Sequence, residues 1–240
     1  TVRGLRLETV TGLKYKILYA MEKLAMFCAT DIIAVSESLK SKIVELKLAK
    51  SNKIKVLGYG SSNGIDIEKF SKQFNSIPFD VKEAISGHFV IGFVGRIVKD
   101  KGIKEVVEMF KILQHRNLKV KLLILGNPEK DDSISNDDYQ YLLNHEDIVL
   151  VGQVPDPVHY FNHMDVLVSP TYREGFANVS LEAQSVEVPV ITTRATGAID
   201  TIEDNHTGFL VNVGESVGLA DKVEYLINHP SLKEEMGKNG

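Results

Sequence analysis

The chain has 240 residues, 43% of them hydrophobic and 25% charged, with 18 glycines and 7 prolines, a composition that can bury a core and excludes disordered or collagen-like chains. Its 28 Lys and Arg against 32 Asp and Glu leave a net charge of −4, which excludes a dedicated nucleic-acid binder, so an anionic ligand has to find a local cluster of cations. The single cysteine, Cys28, can form neither an intrachain disulfide nor a thiolate metal site, and no apolar run is long enough to cross a bilayer, so a cytoplasmic setting is expected. At about 150 residues per domain the length fits one α/β domain plus a remnant. Thr1 in place of an initiator Met makes a chain cut from a longer one the expectation.

Residues 1 to 50 hold nine Lys and Arg against five Asp and Glu, whereas the rest of the chain is acidic. Within them, Tyr15 to Ala29 places Ile17, Met21, Leu24, Ala25 and Cys28 at helical spacing, with Lys14, Lys16 and Lys23 off that stripe. The preferred expectation is a helix packed on a sheet with solvated lysines; the alternative is a basic amphipathic helix resting on an anionic membrane. Asp31 to Val35 then reads as a short strand without a sheet to join, and Ser36 as the N-cap of a helix from Glu37 to Leu48. Lys53 to Leu57 reads as a strand, and the Gly/Ser/Asn-rich run Gly58 to Gly64 with the polar sequence up to Gly87 as an interdomain connection.

From residue 89 apolar runs recur at Phe89 to Val94, Val120 to Leu125, Ile148 to Val151, Val166 to Ser169, Val188 to Thr192 and Phe209 to Val211, alternating with helical segments. The clearest helix repeats Ile103, Val106, Val107, Phe110 and Leu113. This alternation predicts a Rossmann-like, doubly wound parallel sheet, whose ligands sit beyond the C-terminal ends of its strands.

Two loops at such strand ends carry chemistry. The first, Gly95-Arg96-Ile-Val-Lys-Asp-Lys101-Gly102, combines a close-approach glycine, cations and a helix N-terminus, which suits a diphosphate. It is neither a Walker A loop nor a GxGxxG fingerprint, which argues against a dehydrogenase. The second runs from Pro170 to Glu182. Two glutamates eight apart would not share a face of one continuous helix. With Glu174 and Gly175 in the loop and Glu182 in the helix, both reach opposite ends of one elongated ligand, and the Phe176, Ala177 and Asn178 amides point at its middle. Asp131-Asp132 and Asp137-Asp138 read as a solvated loop, not a metal site.

These segments, together with Leu125-Gly126-Asn127, Val151-Gly152-Gln-Val154, Asp165 to Pro170, Leu181-Glu182-Ala183, Val188 to Ile191 and Thr207 to Val211, resemble in order and spacing the C-terminal, donor-binding domain of glycosyltransferase family 4, retaining enzymes of the GT-B fold. The resemblance implies that Arg96 and Lys101 grip the diphosphate of a nucleotide-sugar and that Glu174 contacts the donor sugar. It implies further that the amides after Gly175 hold sugar and phosphate, that Glu182 binds the ribose, and that Gly126-Asn127 and Gly152 to Val154 frame the base, with no metal or other cofactor. Residues 1–57 then stand as the end of an acceptor lobe, 58–88 as the crossover and 89–240 as the nucleotide-sugar domain, and Leu232 to Gly240 stops short of the closing helix of the fold. In one departure, Glu187 stands where the family usually has a small residue, commonly Gly.

The function implied is transfer of a sugar, from a donor expected to be a UDP-sugar, to a growing glycan or lipid-linked acceptor in capsule or lipopolysaccharide synthesis. It would take place at the cytoplasmic face of the inner membrane, with peripheral membrane contact and no nucleic-acid partner. The alternatives are a nucleotide-sugar-binding module without catalysis and a GT-B-fold nucleotide-sugar epimerase.

Overall fold

The computed structural model describes residues 1–61, 63–71, 76–129 and 133–240. In its first part, α1 (Gly12–Cys28) leads into β1 (Ile32–Ala34), α2 (Glu37–Glu45) and β2 (Ile54–Val56). Ser36 caps α2 by accepting from the Leu39 amide at 3.2 Å. Contrary to the sequence expectation, β1 does find a sheet: it pairs in parallel with β2, and Val2 bridges to Ala34.

Helix α1 reverses the expected orientation. Its buried side is Met26 with the partly buried Tyr15, Leu18 and Tyr19, packed on Leu39, Ile43 and Ile54. The stripe read from the sequence lies outside: Ile17, Met21 and Leu24 are 51%, 62% and 64% exposed, and Leu13, Phe27 and Cys28 are exposed with them. Both faces are apolar, so periodicity alone cannot choose between them. Lys53 closes the C-terminal end of α1 by donating to the Met26 and Phe27 carbonyls at 2.8 and 2.9 Å.

The second part holds α3 (Phe79–Ile85), β3 (Phe89–Val94), α4 (Ile103–His115), β4 (Val120–Leu125), α5 (Asn136–Asn144), β5 (Ile148–Gly152), α6 (Val158–Phe161), β6 (Val166–Ser169), α7 (Asn178–Ser185), β7 (Val190–Thr193), β8 (Gly208–Val211), α8 (Ser216–Asn228) and α9 (Pro230–Asn239). Its six strands are all parallel, in the order β5-β4-β3-β6-β7-β8. This is the doubly wound Rossmann order, with its switch point between β3 and β6. Helices α4, α5, α8 and α9 cover one face, and α3, α6 and α7 cover the other.

The stretch read as a connection is built into this second part. Phe70, Ile77, Val81 and Ile85 are buried against β-strand residues Val90 and Leu123, and their spacing among polar residues hid them. The chain turns at Gly58, Gly60, Ser61 and Gly64, which have φ of 56°, 107°, 70° and 69°. Asp137 and Asp138 are not loop residues but the first turn of α5, where the Ser135 hydroxyl accepts from the Asp138 amide and the helix dipole favours acids. Asp131 and Asp132 lie outside the described residues. Glu187 has φ of 61°, the left-handed region in which Gly is unstrained, which accounts for the small residue of the family at that position.

Candidate functional site

The loops after β3 and β6 leave the sheet side by side at its switch point, so fold topology alone brings the two candidate segments together. They meet over backbone: Tyr172 N donates to Asp100 O at 2.9 Å, and the Thr171 hydroxyl donates to the same carbonyl at 3.0 Å. Gly102 is needed here, since a methyl on it would stand 2.0 Å from Pro170 O and its φ is 72°. From this base Lys101 Nζ pairs with Glu174 Oε1, both side chains largely buried. One residue earlier on each loop, Arg173 Nη2 meets Asp100 Oδ2 at 2.8 Å.

Arg96 projects from the same loop and bonds Glu129 at 2.8 Å, an exposed pair that raises the pKa of the guanidinium first through that bond. Asp100 and Glu174 add to its field, so Arg96, Lys101 and Arg173 alternate with Asp100, Glu129 and Glu174 across the crevice. Behind them Tyr172 donates to the buried Glu105 at 2.6 Å, and burial followed by that carboxylate pushes the phenol up to about 12.

The glycine loops beyond β4 and β5 form the next wall. Gly126 N donates to Gly152 O at 2.9 Å, Gly95 N to Leu125 O at 2.9 Å and Ile97 N to Asn127 O at 3.0 Å. At Gly126, with φ of 148°, a methyl would be 1.8 Å from Gly95 O, so only glycine lets these loops interlock. Val154 is partly buried and packs against the core beside them.

Glu182 stands in the second turn of α7. Burial, partly opposed by Lys69, raises its carboxyl above the usual glutamate range. Lys69 itself bonds Asp156 at 2.9 Å.

The expectation of three amides aimed at a ligand does not hold. Ala177 N donates to Gly197 O at 3.2 Å and Asn178 N to Phe176 O at 2.9 Å, which leaves the Phe176 amide as the one of the three without a protein partner among the described residues. The loop after β7 has consumed one of the other two and the turn ahead of α7 the second. The Asn178 side chain instead takes a 3.3 Å hydrogen bond from Ser61.

Several residues at the site escaped the sequence reading. Arg3 and Gly4 pass directly over the second loop: a methyl on Gly175 would be 1.9 Å from Arg3 O, and Gly4 lies against Gly175 N. Thr196 O accepts from Glu174 N at 2.8 Å, and the Thr196 hydroxyl donates at 2.6 Å to Glu8, whose carboxyl is raised chiefly by burial. Ser38 contacts Asp200 through its hydroxyl and amide and accepts from Gly197 N at 2.7 Å. The position of Thr196-Gly197 just beyond β7, at the ligand-binding end of the sheet, was the available signal. Among the described residues no group of three or more His, Cys, Asp or Glu is placed to hold a metal ion.

Comparison with known proteins gives these loops a lineage. Residues 77–240 match the family described as glycosyl transferases group 1. Over all 240 residues the chain is 56% identical to the capsular polysaccharide biosynthesis glycosyltransferase CapM of Staphylococcus aureus, of which it spans 63%. It is 29% identical over 223 residues, 90% of the chain and 56% of the relative, to an Escherichia coli UDP-Gal:alpha-D-GlcNAc-diphosphoundecaprenol alpha-1,3-galactosyltransferase. The structure of Anabaena Alr3699/HepE in complex with UDP and glucose superposes with a TM-score of 0.78 at 20% identity, covering 93% of this chain and 61% of that one, which shows a shared fold. The chain thus spans less than two thirds of these relatives. A family match over more than half the chain and majority identity along its whole length place it plainly: the chain belongs to the glycosyl transferases group 1 family, with the Rossmann-like fold of the GT-B type.

Proposed function

We propose that the chain supplies the donor site of a retaining glycosyltransferase that moves a sugar from a UDP-sugar onto a growing capsular or other surface glycan. The observation that carries this is the meeting of Arg96, Lys101 and Glu174 at the switch-point crevice, with Glu182 farther along the same loop and helix. Breaking the bond between sugar and nucleotide builds negative charge on the departing diphosphate, and preplaced cations stabilise that charge without a metal. Glu174, freed from Lys101 as the diphosphate takes the ammonium, then faces the sugar. Gly126, Asn127, Gly152 and Val154 line the base, and Glu182 accepts from the ribose hydroxyls. The similarity to CapM, and to a relative whose printed activity uses UDP-Gal and a lipid-linked acceptor, supports the donor and acceptor classes. In this reading residues 1–57 belong to the acceptor lobe.

Calorimetric titration with UDP, GDP and ADP in the absence of added metal tests the donor site. One nucleotide, UDP, is expected to bind, and Arg96→Ala to weaken it about tenfold while sparing UMP, the low end of the 1.5–3 kcal/mol of a charge-assisted hydrogen bond because Arg96 is half exposed. Equal losses for UDP and UMP, or no nucleotide bound, would sink the assignment.

With a lipid-linked acceptor the reaction runs at the cytoplasmic face of the membrane, and the outer face of α1 supports peripheral contact there. No helix among the described residues is long and apolar enough to cross a membrane. Leu13, Ile17, Met21, Leu24 and Phe27 are exposed on one face with Lys14, Lys16 and Lys23 beside them. At the end of α1 a groove of about 620 Å³ has an apolar floor that includes Val44 and Leu48, and Lys23, Lys47, Lys50 and Lys53 rim it. Apolar residues ringed by lysines fit an anionic lipid surface. The chain is expected to sediment with phosphatidylglycerol vesicles and not with phosphatidylcholine ones, and Leu24→Glu to abolish the difference. Equal sedimentation with both vesicle types would remove this contact.

A further inference from the structure

Two ion pairs sit side by side in the crevice with opposite polarity. The loop after β3 contributes Asp100 and Lys101, and the loop after β6 contributes Arg173 and Glu174, so each loop offers one acid and one base to the other. All four side chains are more than three-quarters buried, at 15% and 21% exposure for Asp100 and Arg173 and 23% and 17% for Lys101 and Glu174. Screening by solvent is therefore weaker than at a surface pair.

The pairs differ in what a ligand would do to them. A diphosphate entering the crevice competes with Glu174 for Lys101, so the Lys101–Glu174 pair has to open when donor binds. The Asp100–Arg173 pair can stay closed throughout. Its guanidinium also donates from Nε to the Thr9 hydroxyl at 3.1 Å, and the Arg173 carbonyl accepts from Thr171 at 3.1 Å. Arg173 thus joins three segments, the loop after β3, the loop after β6 and the N-terminal stretch of chain that crosses above them.

We propose that Arg173 is a positioning residue for the donor site: with Asp100 it clasps the two loops, so that Lys101 can leave Glu174 for a phosphate without the loops parting. Arg173 also offsets the charge of Asp100, which would otherwise face the incoming diphosphate and compete for the Lys101 ammonium. The clasp deepens the donor reading and rests on it for its nucleotide consequences, but the two ion pairs themselves do not depend on that reading.

The test is a mutant cycle read by calorimetry with UDP and UMP. Arg173→Ala is expected to weaken UDP about tenfold and leave UMP nearly unchanged. Arg173→Lys, which keeps the charge but not the fork, should recover part of the loss. In a Lys101→Ala background, Arg173→Ala should add nothing, because its effect is exerted through Lys101. Additive losses, or equal losses for UDP and UMP, overturn the clasp in favour of a general structural role.

A second readout needs no nucleotide and so separates this proposal from the donor reading. The acetylation rate of Lys101, followed by peptide mass spectrometry, should rise several-fold in Arg173→Ala and in Asp100→Asn and stay near wild type in Arg173→Lys. An unchanged rate in both loss variants, with melting temperature retained, overturns the clasp whether or not UDP binds.

Discussion

Gly102→Ala is expected to lower the melting temperature by about 6–12 °C, the equivalent of about 3 kcal/mol at 2–4 °C per kcal/mol for a chain of this size. Two costs add. The residue sits at φ of 72°, and an L side chain in the left-handed region costs about 1–2 kcal/mol. The new methyl would also stand 2.0 Å from Pro170 O and 2.7 Å from its carbonyl carbon, which are backbone atoms and cannot rotate away. Relief requires Pro170 to move, and Pro170 leads into Thr171 and Tyr172, both bonded to Asp100 O. UDP binding should fall with stability, since the displaced residues carry Glu174. Gly87→Ala is the control: its φ is 74° but nothing lies within 4 Å of the added methyl. It should show the conformational cost alone, and similar melting temperatures for the two variants would refute the close-approach argument.

Glu182→Gln should move stability and binding in opposite directions. Burial raises the carboxyl of Glu182 above 4.5, so between that value and the raised one the folded chain holds the proton that the unfolded chain has lost. Stability therefore falls as pH rises through this window and stays lower above it. Glutamine carries no charge to bury, so the variant should melt higher than wild type at pH 7 and gain nothing near pH 4. Its amide offers one acceptor where the carboxylate offered two, so UDP should weaken about ten- to a hundredfold, as for a charge-assisted hydrogen bond of 1.5–3 kcal/mol, while 2′-deoxy-UDP weakens less. A lower melting temperature at pH 7, or indifference to the 2′ hydroxyl, would return Glu182 to a structural role. A residue that stabilises the chain when neutralised is one kept for something other than stability.

The sheet was legible in the sequence because parallel strands covered on both faces are continuous apolar runs, and Val120 to Leu125 and Val166 to Ser169 are such runs. Helix α4 was legible to the residue, since its apolar positions recur on one face and the other is polar. The two loops of the candidate site followed from the topology. What escaped needed knowledge of partners far along the chain. Arg173 and Asp100 are 73 residues apart, and nothing local marks either as the other's counter-charge. The Ala177 amide looked available because its acceptor, Gly197 O, lies in the loop after β7, and the Asn178 amide because its acceptor, Phe176 O, is set by the turn that precedes α7. Helix α1 was placed correctly and faced wrongly, because Tyr15, Leu18, Tyr19 and Met26 form a second apolar face as good as the one chosen. Helix α3 was missed because a seven-residue helix in polar surroundings shows too few repeats.

Phe176 ties the two parts of the chain together. Its backbone belongs to the loop after β6, but its ring packs against the core of the first part, and the Gly60 turn presses against that ring so closely that a methyl there would be 2.8 Å away. The first part has only a two-stranded sheet, too little to stand alone. Removing the ring would strip that small core of a member, and separating the two parts would pull the loop after β6 out of shape with it. The chain is therefore expected to melt as one unit, with the loop after β6 as the rivet between its two parts.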